Sequence, residues 1–121
     1  SLKYKYIWNF TPDVKFENVV TIPEDTKWGE AQVFNSWKRV ARTDPDAAEK
    51  VRRYHHRPGE ELYAIDEDTD EWNNLAENPE YAAIKKNLRN ALLAHMKEVG
   101  DLGQKTEVAA DERNAKNLPK R

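Results

Sequence analysis

The sequence predicts an α+β fold: a small antiparallel sheet with a long C-terminal amphipathic helix and one or two inserted helices packed on one face. Three observations lead to this prediction. Residues 2–10 alternate polar and aromatic side chains, residues 62–65 form a short apolar run, and residues 78–100 place apolar residues at helical spacing. A chain of 121 residues is long enough for one domain that buries most of its unfolded surface.

The first predicted element is a strand from Leu2 to Phe10. Lys3 and Lys5 point to one side of it, and the aromatic residues at positions 4, 6 and 8 point to the other. This alternation indicates a strand with one wet face, and alternating lysines are typical of an edge strand, where charge discourages further pairing. An exposed sheet edge is also a route to a homo-oligomer, which we keep as an expectation.

For the segment after this strand, the sequence predicts an irregular stretch followed by a helix. Residues 14–22 carry short apolar pieces that favour either an irregular strand or a loop lying on the core, and Pro23 ends them. Asp25 or Thr26 then caps a helix expected from about Trp28 to Arg42. The predicted inner face of this helix consists of Val33, Phe34, Trp37, Val40 and Ala41.

A second inserted helix has clear start signals. Asp44 can cap it, and Pro45 stands at the first helical position, where proline is favoured. We expect this short helix to end near Tyr54. The dipeptide Pro58-Gly59 then predicts a turn, and residues 62–65 predict the second strand.

An acidic turn over residues 66–70 leads to the last helix, which is expected to begin at the cap Asn78 and to end at Gly100. Its inner stripe, if buried, contributes on the order of 10–15 kcal/mol, whereas the cap contributes about 1 kcal/mol. His95 lies on or near this stripe and is expected to be a packed or edge residue rather than a ligand. The stripe consists of Tyr81, Ile84, Leu88, Leu92, Met96 and Val99.

Composition excludes several classes of function. The chain has no cysteine, so it has no disulfide, thiolate metal site or cysteine nucleophile. Its net charge is −2 with interspersed signs, which does not favour a nucleic-acid partner. The sequence contains no apolar run long enough to span a membrane, and we recognise no targeting segment in it.

A family resemblance rests on the middle of the chain. Residues 57–63 have the pattern Arg-Pro-x-Glu-Glu-Leu-Tyr, and Asp68, Glu71 and the run Asn74-Leu75-Ala76 follow. This pattern resembles the C-terminal subdomain of sulfatases, closest to the heparan N-sulfatase (N-sulfoglucosamine sulfohydrolase) branch. The resemblance covers residues 3–10 and 52–100 well, the intervening residues loosely and the tail not at all. The sequence departs from the family pattern at two positions, Ala64 and Thr69, where the family usually has Asp and Pro.

The resemblance implies a division of the chain and a role for it. Residues 1–100 would form a sulfatase C-terminal-like subdomain with a helical insertion at about 27–54, and residues 101–121 a polar, flexible tail. The partner would be an N-terminal sulfatase catalytic domain, which would hold formylglycine and calcium and act on sulfated glycosaminoglycan sugars. No Cys- or Ser-x-Pro-x-Arg motif occurs here, so the chain should be inactive alone. Family members suggest a periplasmic, secreted or lysosomal location.

One acidic segment imitates a calcium-binding loop. Asp66, Asp68, Asp70, Asn74 and Glu77 stand at its first, third, fifth, ninth and twelfth positions. The sixth position, which needs glycine for a sharp turn, is a glutamate, and a strand rather than a helix precedes the segment. The pattern therefore favours a solvated acidic turn, with calcium binding as the alternative.

The candidate site residues are His55, His56 and Arg57. Adjacent histidines on extended chain point to opposite sides and chelate one metal poorly. Arg57 is suited to bidentate contact with a sulfate, so one hypothesis is that the three residues rim a substrate cleft. The pattern favours the structural alternative, in which Arg57 pairs with Glu61, Asp68 or Glu71 and fixes the turn, because basic residues beside acidic turns usually pair within the fold.

The chain is also rich in aromatic residues, which can form either a core or a sugar platform. Their periodic positions favour the core: Tyr4, Tyr6, Trp8, Trp28, Trp37, Tyr63 and Trp72. The rival to the sulfatase hypothesis is an independent carbohydrate- or protein-binding module.

Overall fold

The computed structural model describes residues 3–18, 21, 29–106 and 108–109. The chain divides into two compact units. Ser1–Thr11 and Gly59–Arg121 form one, which we call the sheet unit, and Pro12–Pro58 form the other, the helical unit. The insertion predicted at about 27–54 lies within the helical unit, and the domain boundary at residue 100 stays a prediction.

The α+β class is confirmed. In chain order the elements are β1 (Tyr4–Trp8), α1 (Gly29–Val40), α2 (Pro45–His55), β2 (Glu60–Ala64), a 3₁₀ turn (Pro79–Tyr81) and α3 (Ala82–Val99). Among these described helices, none is long and apolar enough to cross a bilayer.

The sheet consists of β1 and β2, which pair antiparallel with Tyr4 opposite Ala64 and Trp8 opposite Glu60. β2 ends one residue earlier than expected because the carbonyl oxygen of Ala64 already accepts hydrogen bonds from the next turn. The lysine face of the sheet is not simply wet, since Tyr63 and Glu61 on β2 are buried there. β1 is an outer strand of the described sheet, and self-association through its edge stays a prediction.

The core of the sheet unit lies where the sheet meets the segment before α3. Leu62 is completely buried and packs with Leu75 and Ala76. Several half-buried side chains pack against this cluster: Tyr4, Tyr6, Ala64, Tyr81, Ile84 and Leu88. This cluster joins both strands to the inner stripe of α3. The alternating pattern of β1 and the helical spacing of α3 therefore mark residues that pack into the same core.

The ends of the last helix agree with the predicted signals. The Asn78 side chain accepts a hydrogen bond from the Glu80 amide at 3.0 Å, and Gly100 ends the helix in the left-handed conformation, φ +74°. The stripe is at least half-buried through Met96, but Val99 is exposed, and so is His95. Val99 is exposed because of length: a helix of 18 residues spans about 27 Å, whereas a five-residue strand spans roughly 17 Å. His95 is exposed because it lies beside the inner stripe, since its neighbour Met96 is buried.

The helical unit is built on α1 and α2. Asp44 caps α2 by accepting from the amides of Asp46 and Ala47, as expected. Phe34 of α1 is buried, with its ring 5.0 Å from the Tyr54 ring. The other predicted inner positions were partly wrong, since Val33, Trp37 and Val40 are exposed. One neighbouring helix covers only part of an apolar face that wide.

Two further predictions in this region have different outcomes. Residues 12–18 form a loop without strand structure, which decides between the two alternatives for the described part of segment 14–22. The cap at Asp25 or Thr26, the start at Trp28 and the end of the predicted tail, residues 110–121, lie outside the described residues.

Two glycines after α3 offer a matched stability test. Gly100 and Gly103 both have positive φ, +74° and +63°, but a Cβ at Gly103 would lie 3.0 Å from the Phe10 ring whereas one at Gly100 would meet open space. Gly100→Ala is expected to cost about 1–2 kcal/mol for the left-handed backbone alone. Gly103→Ala should cost roughly 1 kcal/mol more because Phe10 must move. Urea unfolding measures both values, and equal losses would contradict the packing role of Gly103.

Candidate functional site

Glu60 of the Glu-Glu-Leu-Tyr motif joins both strands to α3. Its carboxylate accepts a hydrogen bond from the Tyr6 hydroxyl at 2.5 Å and lies 3.4 Å from Lys85 Nζ and 3.3 Å from Arg89 Nη1. The hydrogen bond from Tyr6, followed by the two cations, holds the pKa of Glu60 below its ordinary value. Burial and the Glu60 charge raise the pKa of Tyr6. The arrangement keeps Glu60 charged and Tyr6 protonated, which is a structural rather than a reactive pairing.

Glu61 serves the opposite face of the same strand. It is buried and accepts hydrogen bonds from the Asn9 side chain at 2.7 Å and from the Tyr63 hydroxyl at 2.5 Å. Neighbouring residues of a strand point to opposite faces. The two motif glutamates therefore satisfy polar groups on both sides of the sheet.

Asn74 closes the edge of β2 that β1 does not occupy. Its side-chain oxygen accepts from the amides of Leu62 at 2.9 Å and Ala76 at 3.0 Å, and its side-chain nitrogen donates to the carbonyl of Glu60 at 3.2 Å. The amide of Leu75 donates to the carbonyl of Leu62 at 2.8 Å. A loop thus supplies the hydrogen bonds that a third strand would otherwise make.

The acidic turn is held by side-chain to backbone hydrogen bonds and an ion pair. Both oxygens of Asp68 accept from backbone amides, those of Trp72 at 3.0 Å and Asn73 at 2.7 Å. Glu71 takes the left-handed conformation expected only of glycine, φ +56°, and forms an ion pair with Lys5 at 2.8 Å. Within the described part of the chain, no three His, Cys, Asp or Glu side chains form a group suited to a metal ion.

The candidate residues His55, His56 and Arg57 lie at the end of α2 and differ in exposure. His55 is only 6% exposed, and its Nδ1 lies 2.9 Å from the carbonyl oxygen of Phe16. His56 and Arg57 are exposed. Of the three predicted rim residues, these two can therefore reach a ligand in solution, whereas His55 packs among the aromatic rings of Phe34 and Tyr54.

In the helical unit, Arg57 packs on the aromatic ring of Phe16. Its guanidinium lies over the Phe16 ring, 5.5 Å from the ring centre. The three carboxylates expected to pair with it have other partners: Lys5 for Glu71, Asn9 and Tyr63 for Glu61, and backbone amides for Asp68. Stacking on one face of the guanidinium leaves its N–H groups directed outward in its plane, where an oxyanion can accept them.

Sequence reasoning missed two parts of these arrangements. Phe16 lies in a segment without periodicity, so nothing marked it as the ring beneath Arg57. Arg89, whose guanidinium lies 4.9 Å from the Trp8 ring, belongs to the Glu60 network. The available signal was its spacing of four from Lys85, which places both cations on one side of α3.

The aromatic residues divide between core and surface. Tyr63 is buried, and Tyr4, Tyr6 and Trp8 are half-buried, so the core prediction is confirmed for the sheet. It was wrong for Trp37 and Trp72, which are exposed. Trp28 lies outside the described residues.

Comparison with known proteins relates the chain to sulfatases. The chain is 32% identical over 100 residues to an ulvan-active sulfatase of Formosa agariphila. The match covers 83% of this chain but only 17% of that sulfatase, so the chain spans about a sixth of its relative. No family model matches the chain. No solved structure matches it either.

The Glu60 network leads to a prediction about pH. Because folding lowers the pKa of Glu60, its charge stabilises the folded state above the unfolded pKa of about 4.3, and that contribution is lost as the pH falls through the folded value. Glu60→Gln keeps an acceptor for Tyr6 but removes the charge that faces Lys85 and Arg89. We expect it to lower the free energy of unfolding by about 1 kcal/mol at pH 7 and by less below about pH 4.

The control is Glu77→Gln, because the Glu77 side chain is 92% exposed and lies 4.0 Å from the same Lys85 ammonium. Chemical denaturation at pH 7 and pH 3.5 measures both variants. A Glu60→Gln loss that is the same at both pH values would show that the charge plays no part.

Proposed function

We propose that this chain is the non-catalytic C-terminal part of a larger sulfatase, which completes the fold and shapes the substrate cleft of a catalytic domain outside these residues. The observation that carries the proposal is how the motif residues are used. Glu60, Glu61, Asp68 and Asn74 all direct their polar atoms to contacts inside the sheet unit. These contacts support the interpretation of the sulfatase-like motif as a structural frame, and the similarity to a sixth of a sulfatase agrees with a part rather than a whole.

The reactive groups of the enzyme would belong to the rest of the protein. The chain has no Cys- or Ser-x-Pro-x-Arg motif from which formylglycine could form. In the proposed enzyme, formylglycine and calcium are held by the N-terminal catalytic domain, and hydrolysis of the sulfate takes place there. A periplasmic, secreted or lysosomal location belongs to the same proposal.

We propose a sulfated sugar as the substrate. The resemblance to the heparan N-sulfatase branch favours a glycosaminoglycan sugar such as N-sulfoglucosamine, whereas the curated relative is named for activity on ulvan. Both alternatives carry an anionic group on a carbohydrate. Arg57 would contact that group, because a guanidinium stacked on Phe16 is already ordered and loses little freedom on binding.

A second candidate is an independent carbohydrate- or protein-binding module. The exposed rings of Phe16 and Trp37 in the helical unit favour it, because exposed aromatic rings beside cations suit sugars. A module of this kind would bind sulfated sugar with the present chain alone, whereas the supporting part of an enzyme needs its catalytic domain.

The first test concerns activity. The chain of 121 residues is expected to release no sulfate from N-sulfoglucosamine, from an aryl sulfate or from ulvan oligosaccharides. The longer protein encoded by the reading frame that contains these residues is expected to release it from at least one of them. Ion chromatography of free sulfate measures both, and sulfate release by the chain alone would contradict the non-catalytic role.

The second test concerns Arg57 in the longer protein. Arg57→Ala is expected to raise KM for a sulfated oligosaccharide about tenfold, which corresponds to about 1.4 kcal/mol, with little change in kcat. Arg42→Ala, an exposed arginine of the same helical unit, is the matched control and should leave KM unchanged. An Arg57→Ala enzyme with normal KM and normal stability would remove Arg57 from the substrate cleft.

A further inference from the structure

α1 carries an apolar face that α2 leaves uncovered. Val33, Trp37 and Val40 follow one another at spacings of four and three, which places them on one side of the helix. They are 61%, 51% and 52% exposed. We call these three residues the α1 apolar face. It adjoins the position of Phe34, which packs against Tyr54 and His55 of α2.

This face is larger than the scattered apolar residues of an ordinary surface. Its exposed area is roughly 300 Å², in the range of the largest apolar patch on a typical monomer, where such patches mark interaction sites. That area is well below the about 800 Å² that each partner contributes to a stable interface between separate proteins. The face alone is therefore too small to hold a free partner or a second copy, but it suits a partner joined to it covalently.

We propose that the α1 apolar face docks onto the remaining part of a longer sulfatase chain, an inference that rests on the proposed function. In this proposal the partner is covalently tethered, because the 100 matched residues account for only 17% of the related sulfatase. A covalent connection raises the effective concentration of the partner, so a small apolar contact is enough to keep it in place. Interfaces between domains of one chain bury roughly 600–1,500 Å², so the α1 apolar face would form one part of such an interface.

The charges beside the face specify the docking surface. Arg39 is exposed beside Val40, and Lys38 is half-buried with its ammonium 5.7 Å from the Phe34 ring. A complementary surface therefore has an apolar centre for Trp37 and carboxylates at its edge, the arrangement of an apolar core with a polar rim.

Hydroxyl-radical footprinting of tryptophan tests the proposal in the longer protein. Trp37 should be oxidised about threefold more slowly there than in the chain of 121 residues, because water is excluded from the core of an interface. Trp72 is the internal control: it is 48% exposed, nearly as much as Trp37, but stands beside the acidic turn. Its oxidation rate is expected to be the same in both proteins. Equal oxidation of Trp37 in the two proteins overturns the proposal.

A pair of variants gives a second measurement. Val33→Ser combined with Val40→Ser should leave the unfolding midpoint of the present chain unchanged, since both residues are exposed in it. In the longer protein the same double variant should lower the midpoint and speed proteolysis at the domain junction. Leu93→Ser, at an exposed position of α3, is the control and should change neither.

Other occupants give different results. Protection of Trp37 that rises with concentration in the chain alone indicates a second copy, and protection on adding sulfated oligosaccharide indicates a carbohydrate surface. Either result overturns the docking proposal. Sulfate release by the longer protein, with Trp37 still exposed, overturns this inference and leaves the proposed function standing. A longer protein that releases no sulfate counts against the proposed function itself.

Discussion

The sheet unit depends on hydrogen bonds that close the second edge of β2. A two-stranded sheet is marginally stable in water on its own, and Leu62, at the middle of β2, is completely buried. Its amide and carbonyl must therefore find partners within the protein. The Asn74 side chain and the Leu75 amide provide both. Without them the strand at the centre of the core would hold two unsatisfied polar groups.

The two adjacent glutamates extend this frame in opposite directions. Glu60 reaches Tyr6 on β1 and two cations on α3, so that one carboxylate links three elements. Glu61 remains on the far face with Asn9 and Tyr63. Because side chains alternate along a strand, a pair of neighbouring acids can serve both faces, which a single acid cannot. The motif is thus explained by the geometry of one strand.

Much of the fold could be predicted because its signals are local. Asp44, Asn78 and Gly100 act within a few residues of their own positions, and the alternation in β1 needs no distant partner. The helical period of α1 was also readable. The helical period of the apolar residues shows which of them share a face. It does not show how much of that face a neighbouring element covers. Trp37 was misplaced for this reason.

The parts of the candidate site that could not be predicted depend on distant contacts. Glu71 adopts a conformation unusual for its type while paired with Lys5, 66 residues away. Arg57 stacks on Phe16, and Phe16 lies in a loop whose sequence has no periodicity. A sequence pattern identifies residues that are able to form ion pairs or ring contacts. The fold then determines which of these residues lie close enough to do so. Three acids near Arg57 in the sequence were plausible partners, yet each is engaged elsewhere.

His56 and Arg57 form the exposed corner that we propose as part of the substrate cleft. A backbone hydrogen bond fixes the start of this corner within the helical unit, from the amide of Phe16 to the carbonyl of His55, and it is 2.8 Å long. His56 and Arg57 are exposed, and the hydrogen bonds described for Glu60, Glu61 and Asn74 do not involve them. Under the proposed function, changing His56 or Arg57 would alter what the surface recognises while leaving the sheet intact, whereas changing Glu60 or Asn74 would disturb the fold first. The similarity to a sulfatase is therefore best understood as a shared support on which recognition residues can differ.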